Sequence, residues 1–243
     1  MNKAFPELSQ ALSELLDQMD GSIRRGGYDG PPITMYLAGG MAVNFYCGTR
    51  YTEDVDAFYT RRVHVGPCEV GYRNRDGKPS FLYLDNNYNP TFGLLHDHYD
   101  RAAVEWQGIG NERRKIHLFV LSPVDLAVTK VSRHSPQDRE DVLALASIGL
   151  FSAEQLRDRA REALVDYVGD RAPVETSIDL ICAQISAGKS LQAGRELEIP
   201  LEHPGNGGGK ERDLEIWVSQ IVHRHQVQGV MVRLALMLDP SSD

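Results

Sequence analysis

The chain has 243 residues, 42% of them hydrophobic and 25% charged, with a net charge of −8. That balance describes an ordinary globular protein of one large domain, or a domain with a substantial appendage, and excludes a basic nucleic-acid coat. No run approaches ~18 uninterrupted apolar residues, so no membrane span is expected.

The N-terminal stretch carries acids early and has no apolar h-region, so it does not read as a signal peptide. Three separated cysteines (Cys47, Cys68, Cys182) without CxxC spacing argue against a disulfide framework or structural zinc, and point to a reducing, cytoplasmic setting.

Phe5, Leu8, Leu12, Leu15, Leu16 and Met19 recur at helical spacing behind Pro6, which predicts an amphipathic helix over 6–20. A Gly- and Pro-rich loop over 21–32 follows, then a buried strand at Ile33–Ala38, a helix at Gly39–Tyr46 and a second strand at Asp54–Thr60. Further strands are expected at Phe81–Leu84, Ala102–Trp106 and Lys115–Leu121. From Ser122 the pattern turns helical, with helices near 123–133, 137–147, 152–167 and 174–187. HPGNGGGK at 203–210 reads as a flexible tether to a last helix between Glu211 and Leu238. The organisation expected is an α/β core over 1–121, a helical region over 122–187 that completes the active site, and a linker with a C-terminal helix over 188–243.

Two features carry chemistry. Asp54 and Asp56 are two apart in an apolar strand and so share one face, where two carboxylates repel unless a cation lies between them. Oxygen ligands of this kind suit Mg²⁺, which takes one or two carboxylates together with substrate phosphates. Gly39-Gly40 ends one strand and opens a helix, presenting backbone N–H groups to an anion. Thirteen residues separate Gly40 from Asp54, enough for a short helix and a return that lays the second strand beside the first.

Gly39-Gly40 followed by Asp54-Val55-Asp56 resembles the signature of the DNA polymerase β-like nucleotidyltransferases. Arg50-x-Thr52-x-Asp54-x-Asp56 is similar to the version in bacterial toxin–antitoxin relatives, the AbiEii/MenT group and the family designated DUF6036. A second block, SPVDLAVTKVSRHSPQDREDVLAL at 122–145, resembles their Asp-Leu, Lys and Asp-x-x-Asp segment, with Asp125-Leu126, Lys130, Asp138 and Asp141 at the matching places and Gln137 where relatives carry a base.

The resemblance implies an α+β nucleotidyltransferase fold, a mixed sheet flanked by helices and followed by a helical C-terminal portion. It implies transfer of an NMP from a Mg²⁺- or Mn²⁺-bound NTP to a hydroxyl on a tRNA 3′ end or a protein, with a cognate antitoxin as a partner. Asp54, Asp56, Lys130 and Asp138 are then the catalytic candidates. Gly39, Gly40, Arg50, Thr52, Lys130 and Arg133 are the nucleotide-binding ones, with Asp141 supportive.

Asp54 and Asp56 are the metal ligands. Glu105 is the first candidate for a third, with Asp85, Asp97 and Asp100 behind it. His96 and His98 read as loop histidines, and Arg61, Arg62, Arg73, Arg75 and Lys78 as a basic patch beside the sheet. The other reading is a nucleotidyltransferase fold that has lost catalysis and serves as a binding or regulatory protein.

Overall fold

The computed structural model describes residues 2–49, 51–62, 64–89, 93–133 and 135–192. The chain divides into two units, Met1–Ala187 and Gly188–Asp243, and the first holds both sheets. The expected tether and last helix, and Arg50, lie outside the described residues.

Helix α1 spans Pro6–Arg25 and runs past the end expected at residue 20. Gly21 does not stop it, because Ile23 extends the buried stripe of Leu8, Leu12, Leu15, Leu16 and Met19, and Asp20 receives the Arg24 Nε–H one turn on at 2.6 Å. Strand β1 (Ile33–Leu37) leads into helix α2 (Gly39–Cys47). The expected strand Asp54–Thr60 is divided. Asp54–Val55 (β2) and Ala57–Tyr59 (β3) belong to different sheets, and Asp56 is the residue between them. The apolar run is nevertheless buried as its pattern requires, with Val55 and Ala57 at most 3% exposed; only the hydrogen-bonding partner changes.

Strand β4 (Glu69–Arg73), which the sequence pattern does not announce, forms a hairpin with β5 (Pro79–Leu84). A short helix α3 (Tyr99–Ala102) takes the first part of the strand expected at 102–106 and leaves β6 as Val104–Glu105. Strand β7 is Ile116–Val120. The first sheet has the order β3-β1-β7-β6, with β1 parallel to β7 and antiparallel to β3; the second has the order β2-β5-β4. This is the mixed α+β architecture that the sequence implies.

Helices α4 (Pro123–Val131), α5 (Pro136–Ser147), α6 (Ala153–Ala163) and α7 (Arg171–Gln192) follow. The hydroxyls of Ser122, Ser135 and Ser152 accept the backbone N–H of the residue three on, each at 3.1 Å, which is why α4, α5 and α6 start where the serines stand. Tyr36, Phe58 and Phe119 lie side by side across β1, β3 and β7, and Tyr99 of α3 closes over Tyr36 and Phe58 edge-on at 5.0 and 5.1 Å. Among the described residues no helix is long and apolar enough to cross a membrane.

One buried ion pair ties the helical half together. Asp125 is fully buried at the start of α4, and Arg159 of α6 grips both its oxygens, at 2.7 and 3.1 Å, while the Ser122 hydroxyl donates at 2.6 Å. Removing one partner of such a pair strands a charge where water does not reach. Arg159→Ala is therefore expected to lower the unfolding free energy by about 3 kcal/mol in a denaturant titration. Adding Asp125→Asn should recover part of that loss; a variant as stable as the parent would show that the pair does not hold α6.

Candidate active site

The site forms where β1 ends, α2 begins and the chain passes from β2 to β3. Gly39 is the first residue of α2 and has φ +59°, a left-handed conformation that favours glycine. A Cβ at this position would come within 1.8 Å of Asp56 Oδ2 and 2.7 Å of Asp56 Cβ. The Ala38 N–H donates to the Asp56 carbonyl at 2.8 Å. Gly39 is therefore required by a carboxylate pressed against the start of the helix. Among the described residues the N-cap Ala38 gives the α2 N-terminus no side-chain cap, and the group that stands against this helix start is the Asp56 carboxylate.

Asp54 is held from the loop before β2, with the Thr52 hydroxyl donating to its carboxylate. Thr52 thereby fixes the orientation of Asp54. Asp85 follows β5, and its N–H donates to the Val55 carbonyl at 3.2 Å, which extends the β2–β5 ladder to the site. Burial pushes the Asp56 carboxyl up to about 6, and the Asp54 and Asp85 carboxylates add to that rise; Arg133 and Lys130 oppose it. The loop beyond Asp85 brings Tyr88 over Phe58, with ring centroids 6.4 Å apart. Burial and the Asp56 carboxylate together raise its phenol to about 12.

The second block arrives as a closed charge network. Lys130, 2% exposed, donates to Asp138 at 3.1 Å and to Asp141 at 2.7 Å. Arg133 also reaches Asp138 at 3.1 Å, and its side chain is 44% exposed. Gln137 donates to Asp141 at 3.4 Å. Burial opposes ionisation of Asp138, but the Ser135 hydroxyl and the Lys130 and Arg133 cations outweigh it and hold the carboxyl below its usual range. Lys130 is thus a buried hub, and Arg133 is the cation of this network that meets solvent.

Glu105, first in line for a third acid, is not brought to Asp54 and Asp56. It lies on β6, three strands from β3 (about 14 Å by strand spacing), and accepts from Asn111 Nδ2 at 3.2 Å. Asp85 is the carboxylate that the fold carries toward Asp56 instead. His96 pairs with Glu162 at 3.0 Å, away from the acids in its bonding.

The five basic residues do not make one patch. Arg61 lies over Tyr28, just beyond one end of α1, whereas Arg75 lies over Phe5 at the other, about 30 Å away by the rise of a 20-residue helix. Among the described residues no three His, Cys, Asp or Glu side chains close into a ready-made metal cluster. Two carboxylates with substrate oxygens nevertheless match the demands of Mg²⁺, and an Asp56 that resists ionisation is suited to a cation.

A glycine-led helix start against an aspartate pair at the junction of β2 and β3, on mixed sheets backed by helices, defines the nucleotidyltransferase class of fold. A family model described as "Nucleotidyltransferase of unknown function (DUF6036)" matches residues 15–176, about two thirds of the chain, and the chain belongs to that family. No curated protein and no solved structure shows significant similarity to it.

Two outcomes follow from this geometry. Gly39→Ala should cost about 2 kcal/mol of stability from the left-handed backbone alone, with a further loss from the collision with Asp56, as read from its denaturation midpoint. A carboxyl raised from 3.8 to about 6 binds more protons folded than unfolded between those values. Metal-free protein should accordingly lose stability as pH rises from about 4 to about 6, by about 2 kcal/mol relative to Asp56→Asn. A parent–variant difference that is the same at pH 4.5 and 7.5 would contradict the raised carboxyl.

Proposed function

We propose that the chain transfers a nucleoside monophosphate from an NTP to a hydroxyl acceptor, and that a tRNA 3′ end is the acceptor class. The observation that carries this reading is the contact of Gly39 with Asp56, which brings a helix N-terminus and a carboxylate that resists ionisation together at one point. Asp54 and Asp56, with Asp85 beside them, would hold Mg²⁺ or Mn²⁺. Such an ion, when bound, neutralises polyphosphate charge and makes the α-phosphorus a better electrophile.

The other roles belong to the chain itself. The N–H groups of Gly39 and Gly40 face the phosphates, as helix N-termini do for anions. Thr52 keeps Asp54 in its orientation through the hydroxyl contact. Arg133 offers an exposed guanidinium to the phosphates, while Lys130, Asp138 and Asp141 hold the α4–α5 junction so that Arg133 stays in reach.

The acceptor oxygen attacks the α-phosphorus and forms the new P–O bond; the bond to the β-phosphate bridging oxygen breaks, pyrophosphate leaves and the hydroxyl proton passes to water. Most of the catalytic gain is positioning and charge neutralisation. The toxin-like form of the Arg50–Asp56 motif supports a cognate antitoxin as the partner that restrains this activity.

The alternative, a nucleotidyltransferase fold that has lost catalysis and serves as a binding or regulatory protein, draws on the absence of a preformed three-acid cluster among the described residues. Thermal shift distinguishes a nucleotide site from none. Each NTP with Mg²⁺ should raise the parent's melting temperature by several degrees at saturating ligand, and Asp54→Ala should abolish the metal-dependent part. A parent indifferent to all four nucleotides with metal would remove the transferase reading.

A further inference from the structure

The outward face of the β2-β5-β4 sheet carries two aromatic rings that the nucleotide site does not use. Phe81 is 53% exposed and Tyr83 42%, whereas their strand neighbours Leu82 and Leu84 point inward and are buried. Phe81 stands opposite Gly71, whose missing Cβ would lie 3.6 Å from the ring, so the ring rests over backbone instead of beside a side chain. Tyr83 stands opposite Asp54 of β2 on one side and Glu69 of β4 on the other. Two residues further on is Asp85, still tied to the ladder through Val55. Phe81, Tyr83 and Asp85 therefore form one row, beside Asp54 and leading to Asp56.

Charge is sorted along that row. At the hairpin end, Arg73 stands opposite Pro79 on the same face, and Lys78 is exposed in the turn. The rings occupy the middle and the carboxylates the far end. The Asp54 anion raises the Tyr83 phenol, which places that ring at the boundary of the acid site.

We infer that this row is the acceptor track: the 3′ end of a single-stranded polynucleotide lies along β5 with successive bases on Phe81 and Tyr83 and its terminal hydroxyl at Asp54 and Asp56. The role of the hydroxyl rests on the transferase reading; the binding of the strand does not. A polyanion keeps its upstream phosphates near Arg73 and Lys78 and away from the acids, which orients it. The rings are about 7 Å apart along the strand, so each serves its own base. Stacking on exposed rings is tolerant of sequence, because every base has a π-face.

A protein-docking patch would add aliphatic side chains around the rings; here the neighbours are Gly71, Pro79, Glu69, Arg73 and Asp54. With a chain charge of −8, binding must come from a short track with few phosphate contacts and hence a shallow salt dependence.

The test is fluorescence polarisation of 5′-fluorescein hexa-adenylate RNA with the full chain, in EDTA and without nucleotide. The parent should bind, and Phe81→Ala and Tyr83→Ala should each weaken binding about tenfold. Tyr83→Phe should keep it, and an RNA abasic at its last two positions should bind as weakly as the double alanine variant does to hexa-adenylate. Both rings are exposed, so the variants keep the parent's melting temperature.

Absent binding by the parent, equal binding by the alanine variants, or equal binding of the abasic RNA would each overturn the track. If Mg²⁺–NTP still stabilises the parent in that case, the transferase reading stands and only the acceptor assignment falls. The same holds if the monophosphate is transferred to a protein while the RNA does not bind.

Discussion

The contact between Gly39 and Asp56 is the constraint on which the site depends. It requires a residue with no side chain at the start of α2, a left-handed backbone there, and a carboxylate at the point where one strand leaves one sheet for another. Each demand is costly alone. A positive φ disfavours every residue but glycine, and a buried carboxylate resists its charge. Satisfied together, they bring the positive end of a helix against a negative group, so that each offsets part of the other's cost.

The division of the strand at Asp56 has a consequence for the acids. Were Asp54–Thr60 one continuous strand, the two aspartates would sit in a single ladder and nothing would bring a third acid from the other sheet. Because β2 pairs with β5, the end of β5 is delivered to the site, and Asp85 with it. The same pairing aligns Phe81 and Tyr83 with Asp54. The acid cluster and the outward aromatic face are thus products of one change of partner, and Lys130 and Arg133 of the network with Asp138 and Asp141 supply the positive side of the balance from the helical half.

Much of this was legible in the chain. The glycine pair, the aspartate pair and their spacing identified β1, α2 and the acid-bearing segment, and the caps at Ser122 and Ser152 with the helical pattern between them located α4, α5 and α6, because capping and period are local properties. What escaped was non-local. Asp85 sits in a polar turn whose composition reads as loop, and only the pairing of β5 with β2 gives it a role. Strand β4 was hidden because Glu69, Gly71 and Arg73 face outward and break the apolar pattern. Glu105 had the better strand context yet lies on the far edge of the other sheet, since local sequence does not encode strand order. Arg159 offered no signal at all: its partner Asp125 is thirty-four residues away. Exposed aromatic residues at Phe81 and Tyr83 read as ordinary strand positions until the face they occupy is known.

The most direct measurement is the fate of the label from NTPs carrying ³²P at the α or the γ position, incubated with the protein, Mg²⁺ and total RNA. The α-label is expected to become attached to RNA and the γ-label to leave only as pyrophosphate, and Asp56→Asn to lose both signals. Attachment of γ-label, or α-label transfer undiminished in Asp56→Asn, would contradict the transferase reading.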